Sequence, residues 1–234
     1  MSFFEKQWKL IVGICVALFI IGAGVTAQIT MKLAKEKTVQ ENFFLIEKKY
    51  SDYKTKKNSP DETKTAKKDS SVVPAADLAK NLDAVKKDLA QFISSNPGAK
   101  ATQMAAIYYS EILKEEKNKE EALAVLQKVQ TNDHGLVNTL VQQQIGQILA
   151  DLEKCQEAIN SWQKIVDRKD AAFLHNDVKI QQALCYQKLN DFKKAEELLT
   201  NIANQKPEGR GESPSVKEAA RYLRLIQFKK VSGT

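Results

Sequence analysis

The chain has 234 residues, a net charge of +7 from 36 Lys/Arg against 29 Asp/Glu, and 43% hydrophobic residues. Nine Gly, five Pro and the absence of alternating β-branched runs between turn signals exclude a mainly β protein. The charge is local, with +1 on residues 1–31, +5 on residues 32–68 and +1 on the remainder, so the C-terminal part lacks the basic face of a nucleic-acid binder.

Residues 10–31 read LIVGICVALFIIGAGVTAQITM, 22 positions without a charged side chain. As a helix at about 1.5 Å per residue the run spans roughly 33 Å, enough for a hydrocarbon core of about 30 Å. It is expected to be a single transmembrane anchor, with residues 1–9 as a short flank carrying the interfacial aromatics Phe3, Phe4 and Trp8. Val25 and Ala27 before Gln28 also fit a small-x-small cleavage pattern, but the run exceeds the ~7–15 residues of a signal core, which favours retention. Lys6 and Lys9 on one side, against Lys32, Lys35 and Lys37 on the other, leave the orientation undecided by charge. The Lys-rich side chains next to the anchor suit anionic head groups.

Residues 32–53 are expected to form a juxtamembrane amphipathic helix. Val39, Phe43, Ile46, Tyr50 and Tyr53 recur at a 4-3-4-3 spacing that puts them on one stripe. Such a stripe either packs within its own chain or forms a short coiled-coil seam, which would make a homo-oligomer. Residues 54–73 begin KTKKNSPDETKTAKKDSS, without a large apolar side chain through residue 71, and are expected to be a flexible Lys-rich linker because such a stretch buries too little surface to offset its ordering entropy.

From residue 74 to about 230 apolar residues recur at helical spacing. Leu78, Leu82, Val85, Leu89 and Phe92 predict one amphipathic helix, closed by Ser95-Asn96-Pro97-Gly98. Beyond it the sequence repeats itself: EEALAVLQKV, QEAINSWQKIV and KKAEELLTNIA align on Ala122, Ala158 and Ala195, 36 and 37 residues apart. Twelve residues before these alanines stand Ser110, Gly146 and Ala183, nine before them Leu113, Leu149 and Tyr186, and four after them Leu126, Trp162 and Leu199. Twelve after the last comes Pro207, where the preceding unit has Asp170. Small residues at two fixed positions let antiparallel helices cross closely, with a bulky neighbour filling the space beside them. The pattern resembles the tetratricopeptide repeat, and the extra two or three residues per unit predict longer loops between repeats. Ser213-Pro214 predicts the start of a final helix carrying Ala219, Ala220, Leu223, Ile226 and Phe228, which would cap the stack. The expected fold is all-α, a single N-terminal transmembrane helix followed by a tetratricopeptide-like α-solenoid of antiparallel helix pairs.

The order of parts, together with FISSNPGAKATQMAAIYYSEILKEEKNKEEALAVLQKV at 92–129, resembles the YfgM-like bacterial inner-membrane proteins, ancillary to the Sec translocon. That resemblance implies a periplasmic repeat domain whose partners are translocon subunits, periplasmic chaperones or exported chains. The longer Lys-rich linker departs from the family's compact connection.

No chemistry-bearing motif stands out. HExxH, Gly-rich phosphate loops, CxxC and GxSxG are absent, and His134 and His175 lie at loop or helix-edge positions without an acid–nucleophile arrangement. No catalytic site, metal or cofactor is expected, and Cys155 and Cys185 are either buried thiols or, in an oxidising compartment, a disulfide. If the repeats stack, the first helix of each pair lines the concave face, presenting Met104, Tyr108, Glu111, Gln143, Gln144, Gln147, Asp151, Gln181, Leu184 and Lys188. Their amides, separated apolar groups and balanced charge suit extended or helical protein segments. They lack the concentrated Lys/Arg/Asn set that clamps a C-terminal carboxylate. The sequence thus points to a membrane-anchored protein-binding module, with a cytosol-facing tethered receptor or a homo-oligomeric envelope scaffold as alternatives.

Overall fold

The structure, a computed structural model, describes residues 2–58, 75–206 and 213–232, and among these all regular structure is helical. The chain divides into two compact units, residues 1–78 and 79–234.

The first unit is dominated by α1 (Ser2–Asn58), one unbroken helix that runs through both the apolar stretch and the juxtamembrane stripe. Within it, Leu18–Lys57 is long enough and holds a window apolar enough, by length and composition, to cross a membrane. Among the described residues nothing covers Leu18, Phe19, Ile20, Ile29 or Met31; Phe19 is 79% exposed. Thr26 and Thr30 turn their hydroxyls back onto the helix, donating to the carbonyls of Gly22, Ala23, Thr26 and Ala27 at 2.9–3.0 Å. Both threonine hydroxyls in this stretch are thereby satisfied within the helix itself. Further along, Val39, Phe43, Tyr50 and Tyr53 are buried and Ile46 is half-buried, whereas the adjacent Phe44 and Leu45 are 61% and 60% exposed. The helix also takes in residues 54–58, which the sequence places in the linker. Local interactions explain the extension: Lys54 lies over the Tyr50 ring at 5.0 Å and Lys57 over Tyr53 at 5.9 Å, and Lys56 and Lys57 in the last turn complement the helix dipole. The rest of the expected linker, 59–73, lies outside the described residues, as does Pro207.

Helix α2 (Ala75–Ser95) spans the unit boundary, and its Val85, Leu89, Phe92 and Ile93, in the second unit, are buried. It stops where the Asn96 side-chain amide donates to the Phe92 carbonyl at 3.0 Å and Gly98 adopts a φ of 80°, a left-handed conformation that glycine takes without steric cost. Three antiparallel pairs follow: α3 (Lys100–Glu115) with α4 (Lys119–Val129), α5 (Leu136–Asp151) with α6 (Cys155–Val166), and α7 (His175–Lys188) with α8 (Phe192–Ala203). Each second helix packs on the first helix of the next pair, and α8 packs on α9 (Pro214–Ser232), which closes the stack.

The repeated small positions lie at the helix crossings. Ala122, Ala158 and Ala195 are each the fourth residue of a second helix and fully buried, as are Ser110 and Ala183 on the first helices. Gly146 is the clearest case. A β-carbon there would lie 2.6 Å from both Cδ1 and Cε2 of Trp162, whose indole is 1% exposed and donates through Nε1 to the Gln143 carbonyl at 3.3 Å. Leu126, Leu199, Leu113 and Leu149 fill the matching bulky positions, all buried, and Tyr186 is half-buried.

The turns inside the pairs repeat as faithfully. Lys117, Glu153 and Asn190 adopt φ values of 64°, 60° and 61°. The next residue in each case donates its N–H five positions back, Asn118 to Leu113, Lys154 to Leu149 and Asp191 to Tyr186, at 2.8–2.9 Å. This is a Schellman turn, satisfying carbonyls that the helix end would otherwise leave open. The loops between pairs differ. Residues 130–135 join α4 to α5, while a 3-10 turn (Lys169–Leu174) occupies the join between α6 and α7, at the place where Asp170 replaces a proline. There Arg168 pairs with Asp170 at 2.6 Å and reaches back to the His134 carbonyl at 2.6 Å, so the longer loop is tied to its predecessor.

Candidate protein-binding groove

Consecutive first helices approach one another, α3 with α5, α5 with α7 and α7 with α9, and no comparable approach links the second helices among the described residues. The side on which neighbours draw together is the inside of the curve, so α3, α5 and α7 line a concave face. Each of them carries a stripe of accessible residues, with Tyr109 on α3 and Lys179 and Tyr186 on α7 half-buried off it. Met104, Tyr108 and Glu111 on α3 are half-buried, as are Gln143, Gln144, Gln147 and Asp151 on α5 and Gln181 and Leu184 on α7; Lys188 is exposed. The structure thus gathers the ten residues onto the accessible faces of three adjacent helices. Lys100, Lys114, Leu140 and Asp177 fall on the same stripes, and the sequence reading does not single them out. Their spacing of three or four from Met104, Glu111, Gln144 and Gln181 is the signal that marks them.

Polar ties hold this face in shape. Lys114 sits 3.9 Å from the Asp151 carboxylate, Gln147 donates to the same carboxylate at 3.2 Å, and Lys119 donates to the Asp151 carbonyl at 2.9 Å. Lys188 pairs with Glu153 at 2.9 Å, which holds the Lys188 ammonium above its ordinary value despite the opposing effect of burial. Lys86 of α2 reaches Glu116 at 2.6 Å, and Ser215 of α9 donates to Asp177 at 2.7 Å. Apart from the Gln147 bond, each tie spans about one repeat in sequence, so the concave face is braced across repeats as well as within them.

Behind the groove, buried amides set the register. Gln142 donates to the Ser161 hydroxyl at 2.6 Å, and Gln182 to the Ile159 carbonyl at 3.2 Å. Gln103 reaches the Val129 carbonyl at 3.1 Å and Asn138 at 3.3 Å; Asn138 in turn holds both backbone groups of Thr131. Among the described residues no buried side-chain nitrogen or oxygen lacks a partner. A shifted helix would strand these amides at a cost of about 1–3 kcal/mol each.

The groove offers shape, amides and isolated apolar or charged groups. Among the described residues no cluster of three or more His, Cys, Asp or Glu is arranged to hold a metal ion. His175, the first residue of α7, places Nε2 against the carbonyls of Arg168 at 2.8 Å and Ile165 at 3.2 Å, holding the 3-10 turn.

No family model matches the sequence, and no curated protein matches it. Among solved structures, the chain is similar to the nearly identical TPR-like repeats of a Podosopora anserina kinesin light chain, with TM-score 0.56 and 13% identity over 85% of this chain and 88% of that one. A single-residue variant of that protein aligns with TM-score 0.53 and 12% identity over 85% of this chain and 98% of that one. MamA aligns at 15% identity over 66% of this chain and 92% of that one, with TM-score 0.44. The paired helices, the small crossing positions and the first two neighbours agree on one fold: the repeat domain is a tetratricopeptide-like α-solenoid.

Proposed function

We propose that this chain is a non-enzymatic, membrane-anchored protein-binding module, a periplasm-facing accessory of the Sec translocon or of envelope protein assembly in the bacterial inner membrane. The observation that carries the binding role is the accessible stripe on α3, α5 and α7, a braced concave face whose amides and spaced apolar groups match an extended or helical segment. The uncovered apolar side chains of α1 support anchoring, since a contiguous apolar surface of this kind is what lipid covers. The export role and the periplasmic side rest on the resemblance of residues 92–129 and of the order of parts to the YfgM-like proteins.

Photo-crosslinkers placed in cells at Tyr108, Gln144 and Leu184, with Gln156 and Glu197 on the second helices as controls, test this reading. Translocon subunits or exported chains captured from the groove and absent from the controls are the expected result; recovery of neither removes the export assignment. The second reading, a tethered receptor facing the cytosol, is motivated by the Lys32, Lys35 and Lys37 flank. C-terminal reporter fusions decide between the two, because activity confined to a cytoplasm-dependent reporter would sink the periplasmic reading. The homo-oligomeric scaffold, motivated by the Val39, Phe43, Ile46, Tyr50 and Tyr53 stripe, is tested by sedimentation of residues 32–234: monomer alone at high concentration would count heavily against it.

A further inference from the structure

Two buried groups play no part in the groove. Cys155 opens α6, Cys185 lies in the last turn of α7, and these two helices pack on each other. Both cysteines are free and buried, 3% and 2% exposed, and Cys155 is a near enough neighbour of Cys185 to act on its thiol. The same corner is pinned from outside by the Lys188–Glu153 pair at 2.9 Å, which joins a residue three after Cys185 to one two before Cys155. Side chains that meet from packed neighbouring helices, with their backbones held by a flanking ion pair, are placed for a disulfide, whose bridging geometry tolerates little displacement.

We propose that Cys155 and Cys185 are the site of an intrachain disulfide that staples the second repeat to the third, formed by exchange with a disulfide donor such as oxidised glutathione or a dithiol oxidoreductase. One cysteine loses its proton to solvent and attacks the donor disulfide, releasing one donor thiolate and forming a mixed disulfide. The second cysteine, also deprotonated, attacks the first cysteine's sulfur and releases the other donor thiolate. The protein loses two electrons and two protons; the donor gains both and becomes two thiols. Burial, and next the interaction in which the Cys185 S–H donates to Cys155, push the Cys185 thiol up to about 12, so little thiolate forms in the closed interface. Exchange therefore takes place as the third repeat docks or when the α6–α7 interface opens, and the finished bond is shielded from reductants. In a solenoid each repeat is held only by its neighbours, so a covalent link here removes one place where the array can part. The site follows from the packing and stands whichever side of the membrane the domain occupies; the compartment decides only whether the bond persists.

The test uses the full chain in detergent. It is unfolded with reductant, refolded with oxidised glutathione, then alkylated under denaturing conditions and digested without reduction. The expected result is a Cys155–Cys185 linked peptide, a protein about 2 Da lighter than the reduced form before alkylation, and no label on either cysteine. The melting midpoint should rise by roughly 5–10 °C over the reduced protein, a difference absent from Cys185→Ala. Full alkylation of both cysteines, or separate glutathione adducts with no linked peptide, would overturn the site. A linked peptide with an unchanged midpoint would overturn the staple. The wild-type readouts need no variant, so a poorly folding Cys185→Ala leaves the test intact.

Discussion

Gly146 is where one missing methyl group decides the packing of two helices. The Trp162 ring occupies the space a β-carbon would take, and interiors do not yield easily to added volume. Gly146→Ala is expected to destabilise the repeat domain by about 1–3 kcal/mol, read from urea midpoints. The positive-φ residues make the opposite case. Lys117 and Glu153 hold left-handed conformations that cost an ordinary L-residue about 1 kcal/mol and glycine almost nothing. Lys117→Gly and Glu153→Gly should each stabilise by about 0.5–1 kcal/mol. Asn190→Gly should gain less, because asparagine tolerates this conformation; an equal gain at all three sites would contradict the backbone explanation. The alanines and Gly146 were legible in the sequence because packing repeats with the helix pair. The left-handed turns were not, since lysine and glutamate carry no mark of positive φ.

Among the elements, the loop before α5 is held by the Asn138 amide and by one carboxylate. Asp133 accepts from the Thr131 hydroxyl at 2.5 Å and the Gly135 N–H at 2.6 Å. Those two bonds, the hydroxyl's first, hold its carboxyl below the usual carboxylate range. A depressed folded value means that the stabilisation is complete above the unfolded carboxylate's ordinary value, about 4, and is lost as pH falls through the lower folded one. Amide exchange across residues 133–139, corrected for intrinsic pH effects, should quicken below about pH 4, and Asp133→Asn should flatten that dependence. At the other end, α9 covers Ile180, Leu199 and Ile202 with Val216, Ala219 and Ile226. Ile226→Ala is expected to cost about 2–5 kcal/mol. Truncation at residue 212 should expose the third repeat's core, seen as dye binding and loss of cooperative melting. A truncated chain that melts like the parent would show that α9 is no cap.

At the scale of the molecule, the apolar surface of α1 is the part that water opposes most. Deleting residues 1–31 is expected to move the protein from the alkali-resistant membrane fraction to the soluble one, while the helicity of the repeat domain persists. A deletion that stays in the membrane fraction would place the anchoring elsewhere.

The sequence by itself determined the helical class, the apolar stretch and the order of the repeat pairs. These follow from periodicity, which is a property of local geometry: about every 3.6 residues return a side chain to the same face, and every 36 or 37 return the same crossing. Only the tertiary structure decided that Trp162 fills the space left by Gly146, that the first helices draw together on one side, and that Asp170 pairs with Arg168. It also brought Cys155 to Cys185 and gave Gln103, Gln142 and Gln182 their buried partners. Those contacts join residues from different helices, and no local pattern encodes which two faces meet, because that depends on how all the side chains between them pack.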